Sequence, residues 1–166
     1  MLTIEQLIKK LDLEKHPEGG YFKETYRSEM TISESSLPSE FESDRHVSTC
    51  IYFMLTSDEF SAFHKVNQDE IWHFYMGDRI ILHMISPEGD YSKVNIGSDF
   101  SSGEVPQFVV PAQHWFAAEV EKENGFALVG CTVAPGFDFK DFELAEREQL
   151  QKTFPKHSDL IKKFSR

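Results

Sequence analysis

From Val47 to Val133 apolar-rich runs follow one another at short intervals, and no helical repeat separates them. The runs are Val47–Thr56, Phe60–Val66, Glu70–Met76, Arg79–Ser86, Tyr91–Ile96, Gln107–Val110, His114–Val120 and Phe126–Val133. Between them lie "MGD", "SPEGD", "GSDFSSGE" and "EKENG", all rich in residues that suit tight turns. Parallel strands need a crossover, usually a helix, and this span has none. The pattern therefore predicts an antiparallel all-β sandwich or barrel.

The flanks read differently. Ile4, Leu7, Ile8 and Leu11 recur on one helical face, and Thr3 with Gln6 has capping-box spacing, so a helix is expected over about 3–13. "HPEGG" (His16–Gly20) breaks it with turn chemistry, and "YFKETYRS" from Tyr21 alternates as a strand. The Ser-rich acidic stretch "MTISESSLPSEFESDR" reads as an exposed loop within the domain. "DFELAEREQLQKTF" and "HSDLIKKFSR" read as helices, over about 142–164. With 166 residues, one domain is expected over the whole chain, its barrel over about 20–135.

A net charge of −11, from 17 basic and 28 acidic residues, argues against nucleic acid, which demands clustered Lys and Arg. Cys50 and Cys131 lie far apart with no metal or redox spacing and read as buried thiols. No apolar run is long enough to span a membrane, and the N-terminus lacks signal-peptide character, so a cytoplasmic protein is expected.

The chemistry concentrates in "FHKVNQDEIWHFYMGD" (Phe63–Asp78). It reads as two strands joined by a polar turn, with His64, Glu70 and His73 as candidate metal ligands or proton carriers. Side chains alternate faces along a strand. Glu70, Trp72 and Phe74 therefore share a face, and His73 points away. His64 and Glu70 can converge across the turn.

His64, Glu70 and Gly77 resemble the first motif of the cupin superfamily, H-x-H-x3-E-x6-G, with Val66 at the second His position. "VVPAQHWFAAEV" resembles the second motif: Pro111 fits, Gln113 stands where Gly is usual, and Phe116 stands where the metal-binding His is usual. "HPEGGYFKETYRS" and "GCTVAPGFDFKDFEL" extend the resemblance to the cupin-5 branch, over most of the chain. It implies a double-stranded β-helix (the cupin jelly roll), a homodimer and a small-molecule ligand inside the barrel. The chain is also similar to the sugar-nucleotide epimerase branch of cupins, which works without a metal.

Two ligand positions are apolar, so no metal and no other cofactor is expected. His64 and Glu70 are the expected catalytic residues, His64 as general acid or base and Glu70 orienting it. Trp72, Phe74 and Phe116 would form an apolar wall for a sugar or nucleobase, with His114 nearby. Arg27 and Glu24 are further binding candidates. Arg27 suits a carboxylate or phosphate, or an edge-strand salt bridge. His16 and Glu18 are taken as turn residues and His83 as a satisfied core or interface histidine. The expected function is binding of a small molecule by a metal-independent isomerase or epimerase acting on a carbohydrate or nucleotide-linked substrate. The alternatives are a metal-dependent oxygenase or isomerase using His64, Glu70 and His114, and a non-catalytic sensor.

Overall fold

The computed structural model describes residues 3–166. Helix α1 (Ile4–Leu11) is closed at its start by the Thr3–Gln6 capping box, both bonds of which form. It stops short of the expected residue 13 because Asp12 takes a left-handed conformation (φ 53°) that helical repetition cannot pass through.

Thirteen strands follow. The first six are β1 (Glu14–Lys15), β2 (Tyr21–Arg27), β3 (Thr31–Ile32), β4 (Arg45–His46), β5 (Thr49–Thr56) and β6 (Phe60–Lys65). Then come β7 (Asp69–Gly77), β8 (Ile80–Ile85), β9 (Tyr91–Ile96) and β10 (Gln107–Val110). The last are β11 (Trp115–Val120), β12 (Phe126–Ala134) and β13 (Glu143–Leu144). Two short helices end the chain, α2 (Arg147–Thr153) and α3 (Ser158–Lys163).

The strands form a six-stranded sheet, β1-β2-β5-β12-β7-β10, facing a five-stranded sheet, β13-β6-β11-β8-β9. All pairings within the two sheets are antiparallel. This is the antiparallel sandwich expected from the strand spacing, and the jelly roll that the cupin resemblance implies. Its main core lies between the sheets, where Phe53, Trp72, Leu82, Phe116 and Val129 interdigitate. Helix α1 lays Leu7 on Met54 and Leu128 of the six-stranded sheet. Leu150 and Ile161 of the C-terminal helices, with Phe164 just after α3, cover Phe63, Ile85 and Ala117 on the other. Strand β8 is thus buried on both faces, which explains its unbroken apolar sequence.

Two segments differ from the sequence reading. Phe139–Asp141 forms one 3-10 turn, Phe142–Glu146 is not helical and carries a short strand at Glu143–Leu144, and α2 begins only at Arg147. Strand pairing overrides helix propensity here: Glu143 and Leu144 pair with Lys65 and His64 of β6. The Ser-rich loop is also partly built in. Thr31–Ile32 pairs with Arg45–His46. Arg45 is buried and binds Asp141 through Nε–Oδ2 (2.8 Å) and Nη2–Oδ1 (2.6 Å).

Candidate functional site

The short turn between β6 and β7 does not make a hairpin. The two strands belong to different sheets, so Val66–Gln68 carries the chain across the sandwich. His64 and Glu70 therefore face the same interior from opposite sheets instead of lying side by side. Between the sheets is a cavity of about 370 Å³ that both line, together with Val66, Trp72 and Cys131. Such a volume suits a small organic ligand.

His64 is held by a residue other than Glu70. Its Nδ1 lies 2.7 Å from the Ala62 carbonyl and must donate to it, since a carbonyl can only accept. Its Nε2 lies 3.0 Å from Oε2 of Glu18. The "HPEGG" turn brings Glu18 there. Gly19 (φ 115°) packs so closely on β6 that a Cβ would stand 2.2 Å from the Phe60 carbonyl. The Glu18 carbonyl also accepts from the Ala62 amide at 2.8 Å. Glu18 accepts a further bond from the Ser61 hydroxyl (2.8 Å). His16 lies 3.4 Å away and accepts the Glu18 amide on Nδ1 (3.3 Å).

The electrostatics follow from these contacts. Burial alone would neutralise both partners, but the charges and the bond between them prevail. The Glu18 carboxyl is shifted down and the His64 imidazole up, giving a buried ion pair. Burial shifts His16 down and keeps it neutral. Glu70 is left over. It is 9 % exposed and makes no ion pair among the described residues; only the Cys131 thiol and the Trp72 indole approach it as weak donors. Its side chain lines the cavity. Burial and the Glu18 charge push its pKa up to about 7, against the weaker pull of His64, Cys131 and Trp72. Burial, with Glu70 and Glu18 nearby, raises the Cys131 thiol well above its usual range.

Of the other expected site residues, Trp72, Glu24 and Arg27 line the cavity. Arg27 grips Glu24 through Nε (2.9 Å) and Nη2 (2.7 Å). Phe116, expected in the wall, is packed in the core and does not line the cavity; its ring centroid is 4.0 Å from that of His64. Phe74 packs against the main core and not on the cavity. His114 is also away from it, bonded to the Ala112 carbonyl. His73 faces the opposite side of β7 and meets Thr132 at 3.2 Å. Gln113, at the position where glycine is usual, takes the left-handed backbone (φ 64°) that such a position requires. His83 is buried and bonded to the Tyr91 hydroxyl (2.9 Å) and Glu119 (3.3 Å).

Sequence reasoning missed Glu18, His16, His46 and the aromatic roof Phe137, Phe139 and Phe142. The roof is tied down by Asp141, which holds Arg45 and accepts from Gln68 Nε2 (2.7 Å). The glycine pair in "HPEGG" was the available signal for Glu18, since two left-handed residues bend a chain back on itself. Nothing local in "APGFDFKDF" marks it as a lid over a distant strand.

These residues do not fit a cupin-type metal. Val66 and Phe116 offer no donor and belong to the core, and both ring nitrogens of His64 are engaged. His114 is not brought to His64 and Glu70. Among the described residues, no group of three or more His, Cys, Asp or Glu side chains is arranged to hold a metal ion.

A family model described as "Cupin superfamily (DUF985)" matches residues 5–145. An uncharacterized protein of Saccharomyces cerevisiae, YML079W, is 37% identical over 157 residues, covering 88% of this chain and 77% of its own. The crystal structure of protein SO0799 from Shewanella oneidensis is similar at a TM-score of 0.90 and 40% identity, covering 100% of this chain and 99% of that one. A hypothetical protein from Leishmania major reaches 0.88 at 34% identity, with 99% of each chain covered. Oxalate decarboxylase from Bacillus subtilis shares the fold alone: TM-score 0.55, 12% identity, 92% of this chain and 37% of that one.

Proposed function

The chain belongs to the DUF985 family of the cupin superfamily, and from that premise we propose that its barrel cavity binds a small molecule and transfers a proton on it without a metal. The reaction class is that of an isomerase or epimerase acting on a ring such as a sugar. One observation carries this reading: Glu70 is a buried carboxyl without an ion-pair partner, lining an aromatic cavity, with a pKa of about 7. A group poised near neutrality can both take and return a proton in one cycle. Trp72 and the Phe137–Phe142 roof supply faces on which a ring stacks.

The roles of the pair are then the reverse of those expected from sequence. Both His64 nitrogens are engaged, so His64 with Glu18 is a positioning ion pair. It sets the field in which Glu70 titrates.

Wash-in of solvent deuterium tests this. Candidate sugars and nucleotide-linked sugars are incubated with the protein in D2O and followed by NMR. Exchange at one ring carbon is expected, lost in Glu70→Gln and strongly slowed in His64→Ala. Binding without exchange in any candidate would sink the catalytic reading. It would leave the non-catalytic module, which the complete hydrogen bonding of His64 favours.

The homodimer is proposed on Tyr26, Tyr75, Met76 and Val109, which stand exposed on the six-stranded sheet. Light scattering tests it, and a monomer at all concentrations would contradict it.

A further inference from the structure

The charges around the cavity do not balance. Its walls carry four carboxylates, Glu18, Glu24, Glu70 and Asp138. Glu18 is matched by His64, and Glu24 by Arg27. Arg27 is committed further, since its Nη2 also donates to the Phe137 carbonyl at 3.1 Å. Asp138 accepts only the backbone amide of Lys140. Glu70 has no cationic side chain in ion-pair contact among the described residues, and only the weak donors Cys131 and Trp72 stand beside it. No lysine lines the cavity among the described residues. A phosphate or carboxylate entering it would meet carboxylates and a guanidinium already in use.

The apolar lining has a matching polarity. Phe22, Phe53, Trp72, Phe137, Phe139 and Phe142 all border the space. Aromatic faces are negative and attract an ammonium group, more strongly where water is excluded. A buried carboxyl with no cationic protein partner among aromatic rings is the chemistry that recognises an organic cation.

We propose that the ligand of this cavity is a small ring-bearing amine, bound as the ammonium ion with its charge on Glu70 and its ring against Trp72 and the Phe137–Phe142 roof. This rests on the cavity being the binding site and narrows its substrate class. A carbohydrate in this site carries an amino group, and a nucleotide-linked sugar, with its phosphates, is disfavoured. Cation binding is linked to release of the Glu70 proton. The groups facing Glu70 are Glu18, His64, Cys131 and Trp72. Affinity for a cation therefore rises with pH through about 7, where Glu70 ionises.

Two isosteric series test the proposal on the full chain, with the Trp72 indole resonance followed by NMR. One is benzylamine, benzyl alcohol and benzoate, and the other is glucosamine, glucose and glucose 6-phosphate. In at least one series the amine binds at least about tenfold tighter than the neutral member, and the anion binds weakest. In Glu70→Gln the preference for the amine disappears while the neutral member binds as before. The proposal is overturned if neutral or anionic members bind as tightly as the amines, if Glu70→Gln leaves the preference intact, or if no member moves the indole resonance. Failure of the proton-transfer reading looks different: charge preference survives, and no bound ring exchanges its protons with solvent.

Discussion

Replacing Glu70 with glutamine should stabilise the protein, and only above a definite pH. In the unfolded chain the carboxyl titrates near its ordinary 4.5, and in the folded protein burial and the Glu18 charge hold it at about 7. The folded state thus binds the proton more tightly. The stability this carboxyl contributes is complete below 4.5 and is lost as pH rises through about 7. The gap corresponds to about 3 kcal/mol. Glutamine keeps the size and has no charge to bury, so its stability carries no such loss. Urea denaturation of both proteins across pH measures the difference. The two should be nearly equal at about pH 4.5, and the variant more stable by about 3 kcal/mol at about pH 8. In thermal melts the gain is roughly 6–12 °C for a chain of this length. A difference that does not change with pH, or a variant less stable at the alkaline end, would refute the reasoning.

Two further substitutions test the frame around the cavity. Asp141→Asn leaves Arg45 buried without its carboxylate and should cost about 3–5 kcal/mol in urea denaturation. Hydrogen exchange should also speed up across 137–142, and unchanged protection there would contradict the anchoring role of Asp141. Gly77→Ala sets a Cβ 2.2 Å from the Phe126 carbonyl at a φ of 103°, so at least about 2 kcal/mol should be lost. A neutral result would mean that the β7–β12 pairing tolerates a shift at this motif glycine.

The parts legible in the sequence are those set by local chemistry. The Thr3–Gln6 box, the turn residues and the period-2 runs each act within a few residues, and they gave the helix and the antiparallel sandwich; the jelly-roll topology came from the cupin resemblance. Parity alone turned His73 away from the interior. The site was legible only in part because its contacts are between distant segments. Whether two strands joined by a short turn share a sheet depends on pairings formed elsewhere, so the placement of His64 against Glu70 could not be read from their spacing. Glu18 reaches His64 from 46 positions upstream through the close packing of Gly19. The segment Asp141–Glu146 has helix-forming residues, yet the Asp141–Arg45 bond and the pairing of Glu143 and Leu144 with β6 keep it out of the helix. No local propensity encodes either constraint.

Both the binding and the chemistry of the cavity depend on one group, the Glu70 carboxyl. Its titration by carbon NMR in the wild type, Glu18→Gln and His64→Ala is the direct measurement. The wild-type carboxyl should titrate at about 7. Glu18→Gln removes a repelling charge and should lower that midpoint. His64→Ala removes an attracting one and should raise it. A wild-type midpoint near 4.5, or one that neither substitution moves, would contradict the account.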